Sequence, residues 1–125
     1  PLTIKMRALE LPNGMALNYP NLRFEAGQFI YNTDRDYVRT HGPRVTENVV
    51  QALARLVITD QMLDIQSLPQ VDIVLQVHDE IIAIGSEQDS DATMNQILEI
   101  MRTPPEWCDD LPLDAEGGVS KVYDK

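Results

Sequence analysis

The chain has 125 residues, 43% of them hydrophobic, and a formal net charge of −10. This length fits one domain with a modest core, but the charge has the wrong sign for a free-standing nucleic-acid binder, because phosphate contacts require lysine and arginine. No apolar run approaches the ~20 residues of a membrane span, and no secretion signal is visible. The single Cys108 excludes an internal disulfide, which suits a reducing cytoplasm. Together with the missing apolar run, this predicts a cytoplasmic protein without a membrane segment.

The first third of the chain predicts two β-hairpins. Pro12-Asn13-Gly14 separates the runs 7–11 and 15–19, and Asn-Gly between such runs favours a tight turn. A further pair of strands is expected at 22–24 and 28–31.

A long amphipathic helix is expected after a loop. Residues 32–43 are polar and basic, and Gly42-Pro43 is typical of a break between elements. Thr46 then suits the N-cap position, and Glu47 suits the first turn. The helix would end near residues 67–69. Its expected apolar stripe consists of Val49, Val50, Leu53, Leu56, Val57, Met62 and Leu63.

The apolar stretch 71–84 is interrupted by His78-Asp79-Glu80, and this pattern predicts a β-hairpin with polar residues at its tip. Two carboxylates on a rigid sheet beside an imidazole can prepare a divalent-metal site for phosphate chemistry. An ordinary polar turn is the alternative, because Asp is common in turns. The expected faces of the first strand are Ile73, Leu75 and Val77 on one side, and Val74, Gln76 and His78 on the other.

A second helix is expected after the hairpin, capped by Asp89 or Ser90 and stopped by Thr103-Pro104-Pro105. Alternating apolar residues at 111–115 predict a short last strand, which Pro112 would place at a sheet edge or at the start of the strand. The apolar stripe of the helix consists of Met94, Ile97, Leu98 and Met101.

The first helix also has a polar face. Asn48, Gln51 and Arg55 are spaced by three and four residues, so they share this face. Carboxamides can donate to the acceptors that every base pair presents in the minor groove. From the residues alone, an ordinary solvated helix face is the simpler interpretation.

The segment Gln76-Val77-His78-Asp79-Glu80 resembles motif C of the family A (DNA polymerase I-like) DNA polymerases. Other segments resemble phage members of this family in the family order, so the similarity spans nearly the whole chain. These segments are Leu11–Gly14 with Tyr19–Asn21, Thr46–Arg55, Met101–Trp107 and Leu111–Gly117.

The resemblance implies roles for the hairpin residues. Asp79 would bind catalytic Mg²⁺, Glu80 would take a weaker or indirect part, and His78 would lie near the primer terminus. The helix would contact the minor groove of the template–primer. The implied DNA-binding residues are Asn48, Gln51, Arg55, Gln76 and His78.

Two parts of such a polymerase do not occur in the sequence: a second metal-binding Asp (motif A), and a helix whose Lys and Arg bind the incoming triphosphate (motif B). We therefore expect the carboxy-terminal piece of a longer polymerase, inactive by itself. Residues 1–45 would connect fingers to palm, and 46–125 would form the C-terminal palm subdomain. The implied partners are template–primer DNA, dNTP and the missing polymerase part, in cis or as another chain.

The expected fold class is α+β: an antiparallel palm sheet with the motif C hairpin packed on helices, plus a small N-terminal β-hairpin element. The two helices would start near Thr46 and Ser90. The alternative function is a non-catalytic interaction module whose acidic surface binds a basic partner. A longer reading frame upstream would decide between the two.

Overall fold

A computed structural model describes residues 2–123, which form two compact units. The first unit ends at Leu56 and the second begins at Val57. The predicted α+β class is confirmed, with small antiparallel sheets and two helices. The division into 1–45 and 46–125 concerns function and stays a prediction.

The elements follow one another as strands, one long helix, a hairpin and a second helix. The strands and helices are β1 (Thr3–Lys5), β2 (Ala8–Glu10), β3 (Ala16–Asn18), β4 (Arg23–Glu25), β5 (Gln28–Asn32), β6 (Tyr37–Thr40), α1 (Gly42–Gln66), β7 (Val71–Val77), β8 (Glu80–Gly85) and α2 (Ser90–Arg102). Short 3₁₀ turns cover Glu87–Asp89 and Glu106–Cys108.

The first sheet has the order β1-β2-β3, and its β2–β3 hairpin confirms the Asn-Gly prediction. Gly14 has a φ of +84°, a backbone conformation that residues with a Cβ rarely adopt. The side-chain oxygen of Asn13 accepts from the Met15 N–H at 3.1 Å and so closes the turn.

The second sheet has the order β4-β5-β6. Ala26 and Gly27 both have positive φ, 50° and 76°, as a two-residue type I′ turn requires. The prediction of a loop over residues 32–43 is wrong in part, because Tyr37–Thr40 pairs with β5. The turn before β6 is closed by Thr33, which bonds Asp36 through both backbone and side chain; such a threonine turn is a weaker sequence signal than Asn-Gly.

Helix α1 begins at Gly42, four residues before the predicted N-cap. Pro43 does not break the helix, because the first turn needs no N–H from it. Thr46 lies inside the helix, and its hydroxyl donates to the Gly42 carbonyl at 3.0 Å. The prediction of Thr46 as N-cap is therefore wrong.

The buried side of the second half of α1 runs through Ile58, Gln61 and Ile65, spaced by three and four residues. Ile65 is fully buried, whereas the predicted stripe members Val50 and Leu63 are 59% and 68% exposed. Gln61 is a polar residue on this otherwise apolar side, and its amide donates to the Met101 carbonyl at 2.9 Å. This bond lets a polar residue occupy a buried position.

The β7–β8 hairpin contains a bulge that changes its faces. Ile73 pairs with Ala83 and Leu75 pairs with Ile82, so Val74 is an extra residue. Ile73 therefore lies on the face opposite Leu75 and Val77, which corrects the predicted alternation. Of the two faces, the one carrying Leu75 is more exposed.

Glutamine side chains fix this hairpin to the helices of the second unit. The Gln66 side chain at the end of α1 accepts from the Ile73 N–H at 3.0 Å and donates to the Val71 carbonyl at 3.4 Å. The Gln70 side chain donates to Gln96 of α2 at 2.8 Å. These contacts position the hairpin whose tip carries the candidate catalytic residues.

Helix α2 starts and ends where the sequence predicts, with Asp89 at the N-cap position and Thr103 at the C-cap position. The Asp89 side chain makes no capping hydrogen bond. The expected last strand at 111–115 is wrong, because this stretch is irregular and carries no strand pairing.

Side-chain contacts, rather than the backbone hydrogen bonds of a sheet, hold the irregular C-terminal segment in place. Arg102 forms an ion pair with Asp114 at 3.0 Å and donates to the Ala115 carbonyl. The Ala115 N–H and the Arg102 guanidinium lower the pKa of Asp114. Because the pKa in the folded protein lies below the unfolded value, this carboxylate stabilises the fold above its unfolded pKa, and the contribution is lost as the pH falls through the folded pKa.

Between residues 2 and 123, neither helix has the length and apolar character required to cross a membrane.

Candidate active-site hairpin and helix face

The tip of the β7–β8 hairpin is a two-residue turn formed by His78 and Asp79. The last paired residues are Val77 and Glu80. His78 has a φ of +53°, and a positive φ at the first turn position is the sign of a type II′ turn, where glycine is usual. The Gln76 side chain donates to the His78 carbonyl and holds the turn. Glycine would adopt this positive φ without the steric cost that the Cβ of a histidine carries.

The side chains of His78, Asp79 and Glu80 are all exposed, whereas Gln76 is half-buried. Within residues 2–123, no basic side chain forms an ion pair with Asp79 or Glu80. Their oxygens thus keep free coordination positions, and carboxylate oxygens are the ligands that Mg²⁺ prefers. In the same part of the chain, no group of three potential ligands could hold a metal ion.

We expect His78→Gly to stabilise the isolated chain. A left-handed residue with a Cβ costs about 1–2 kcal/mol and glycine loses about 0.5–1 kcal/mol more on folding, so the net gain should be about 0.5–1 kcal/mol. Urea unfolding measures this difference. His41→Gly is the matched control, because His41 is exposed and its φ is not positive; that variant should gain nothing. Equal effects of the two substitutions would show that the turn conformation is not strained.

The predicted polar face of α1 lies in the first unit and is not uniformly solvated. Asn48 is half-buried and donates to the Tyr19 hydroxyl at 3.4 Å. Tyr19 is 6% exposed, and its ring meets Tyr31 edge to face at 5.2 Å. A tyrosine pair therefore orients one of the proposed DNA-contacting amides.

Asn48 and Gln51 line the same shallow depression, of about 380 Å³, beside Leu17, Asn18 and the two tyrosines. The Gln51 side chain is exposed and donates to Glu47 at 3.2 Å. Arg55 is exposed and is not among the lining residues. The structure thus brings together two of the three polar residues.

Sequence reasoning did not assign a site role to Tyr19 or Tyr31. The available signal was Tyr19-Pro20-Asn21, one of the segments that resemble phage polymerases. The Tyr19–Tyr31 contact depends on how β3 and β5 are placed, which the periodicity of either strand does not encode. These two residues extend the candidate helix-face site.

Cys108 does not offer a nucleophile. Burial raises the pKa of its thiol, and a hydrogen bond to Asp110 together with the charges of Asp110 and Asp109 raises it further. The thiolate is the reactive form of cysteine, so these neighbours suppress its reactivity. This agrees with the sequence, where two acids directly follow the cysteine.

The comparisons with known proteins point to DNA polymerases. The chain is 30% identical, over 130 aligned positions, to a DNA polymerase of Bacillus phage SP02. The alignment covers 94% of this chain but 19% of that polymerase, so the chain spans about a fifth of the length of this relative. No protein-family model and no solved structure matches the chain. The similarity supports a relationship between this chain and DNA polymerases.

Proposed function

We propose that this chain is the C-terminal palm part of a family A DNA polymerase, which adds nucleotides to a primer 3′-hydroxyl under the direction of a template. The observation that carries the proposal is the similarity to a phage DNA polymerase along 94% of the chain. The hairpin tip carries two exposed carboxylates that form no ion pair with residues 2–123, and this adds chemistry that suits phosphate transfer.

In this proposal Asp79 is the principal metal ligand and Glu80 assists it. Mg²⁺ usually takes one or two carboxylates together with substrate phosphates and water, so the exposed pair fits one part of its coordination shell. When bound, Mg²⁺ would lower the pKa of the primer hydroxyl and neutralise charge on the leaving pyrophosphate. The remaining protein ligand would be an Asp outside this chain.

His78 would act beside the metal site as a positioning group. Its exposed ring sits at the first position of the turn, directly before Asp79. With Asp79 at the metal, a hydrogen-bond donor at this position would lie near the terminal primer nucleotide. Gln76 would support it, because its amide already holds the His78 carbonyl. We propose contacts of both residues with DNA.

The helix face would contact the duplex. Asn48 and Gln51 carry amide N–H groups that can donate to minor-groove acceptors, which are similar in all base pairs. Arg55 would add a positive charge on the same side of the helix. The first unit carries seven basic and five acidic residues, whereas the second carries three and fifteen. DNA contact from the first unit is therefore electrostatically favoured.

The purified 125-residue chain should show no template-directed synthesis with Mg²⁺ and should bind DNA and Mg²⁺ weakly. It lacks the triphosphate-binding helix and the second Asp, and its net charge repels phosphate. Primer extension and binding titrations at two salt concentrations measure this. Extension should appear only when the missing motifs are supplied, in one chain or as a partner subunit. Template-directed incorporation by the purified chain alone would overturn the proposal.

A further inference from the structure

A groove of about 620 Å³ lies in the second unit, and none of its lining residues belongs to the β7–β8 hairpin. Its apolar surface comes from Val57, Leu68, Ile100 and Trp107, together with Pro104 and Pro105. The two prolines and the 3₁₀ turn Glu106–Cys108 bring Trp107 to the groove wall. A cleft with aromatic, aliphatic and proline side chains can accept an apolar side chain from a partner.

Polar side chains at the groove already form hydrogen bonds within the chain. Gln61 is buried, and its amide donates to the Met101 carbonyl. The Thr103 hydroxyl donates to the Glu99 carbonyl at 2.8 Å. An apolar ligand side chain would therefore leave these donors satisfied.

Three carboxylates line the same groove: Asp60, Asp64 and Glu106. None of them forms an ion pair in the described part of the chain, and no basic residue lines the groove. Asp60 and Asp64 are one helical turn apart, where like charges repel. Asp64 also lies in the last turn of α1, where the helix dipole disfavours an anion. A cation placed in the groove would relieve both repulsions.

We propose that this groove binds a basic segment of a partner protein, in which Lys or Arg residues flank an apolar side chain. The apolar side chain would pack on Trp107 and the prolines, and the cations would pair with Asp60, Asp64 and Glu106. The groove is lined by three carboxylates and by no basic side chain, so nucleic acid and anionic lipid are repelled from it. Charge complementarity thus selects a basic peptide as the occupant.

The experiment uses Trp107, the single tryptophan of the chain, as the reporter. The probe is the capped peptide Lys-Lys-Leu-Ala-Leu-Lys-Lys, titrated into the 125-residue chain at physiological salt. We expect a saturable change of Trp107 emission. The peptide with serine at both leucine positions should bind at least tenfold more weakly, because it cannot fill the apolar part of the groove.

Charge-matched variants distinguish peptide binding in the groove from non-specific attraction to the overall negative charge of the chain. Asp60→Asn combined with Asp64→Asn should weaken binding at least tenfold. Asp34→Asn combined with Glu116→Gln removes the same charge at exposed positions outside the groove and should leave binding unchanged. Urea unfolding of both double variants verifies that they fold.

Three results would overturn the proposal. They are equal loss of binding in the two double variants, equal binding of the leucine and serine peptides, or self-association of the chain that the peptide does not reverse. The last result would make a second copy the occupant. None of these readouts depends on polymerase activity, so the groove and the polymerase proposal can fail independently.

Discussion

Asp79→Ala in the longer polymerase that we propose contains this chain should lower primer extension by about a thousandfold or more. A metal ion contributes several kcal/mol to transition-state stabilisation, each 1.36 kcal/mol is tenfold in rate, and few groups can replace a lost ligand. The Asp79 side chain is exposed at a turn, so its removal should leave stability nearly unchanged. Single-turnover primer extension and urea unfolding measure the two effects.

Two controls give this prediction its specificity. Glu80→Ala should reduce the rate less than Asp79→Ala, because Glu80 is proposed as an assisting ligand. Asp34→Ala, an exposed carboxylate of the first unit, should leave the rate unchanged. Near-normal extension by Asp79→Ala with Mg²⁺ would show that the metal assignment is wrong.

Ile65→Ala should lower the free energy of unfolding by about 2–5 kcal/mol, the usual range for truncating a buried isoleucine. Ile65 is the largest fully buried side chain among residues 2–123. It lies one residue before the end of α1, beside Gln66, whose amide holds β7. The loss should therefore appear in the second unit, measured by urea unfolding followed with Trp107 fluorescence.

Leu63→Ala is the matched control, because it removes an aliphatic side chain from the same helix at a site that is 68% exposed. A surface substitution of this kind should change stability by no more than about 0.5 kcal/mol. Similar losses in the two variants would contradict the observed burial of α1 and would favour the stripe that hydrophobic periodicity predicts.

The elements with strong local signals were predictable from sequence. The Asn13-Gly14 hairpin follows from a turn that needs positive φ, and the end of α2 follows from Thr103 and the prolines after it. The hairpin around Asp79 was predicted from two apolar runs with polar residues between them. In each case the determining residues are neighbours in sequence.

The features that sequence reasoning missed depend on contacts between distant residues. Gln61 enters the core only because the Met101 carbonyl accepts its amide hydrogen, and Tyr19 approaches Asn48 across 29 positions. The bulge at Val74 reverses the faces of β7 without a glycine or proline to mark it. Gly42-Pro43 predicts a break between elements, although the first turn of a helix accepts a proline and α1 begins at Gly42.

The proposed placement of Asp79 at a catalytic metal can be measured by localised cleavage of the polypeptide. Fe²⁺ replaces Mg²⁺ in the longer polymerase bound to template–primer and nucleotide, and peroxide then generates hydroxyl radicals at the metal. We expect cuts in the segment from Gln76 to Glu80, and their loss in the Asp79→Ala variant. Efficient cuts elsewhere in the polymerase, with none in this hairpin, would contradict the assignment of the hairpin to the active site.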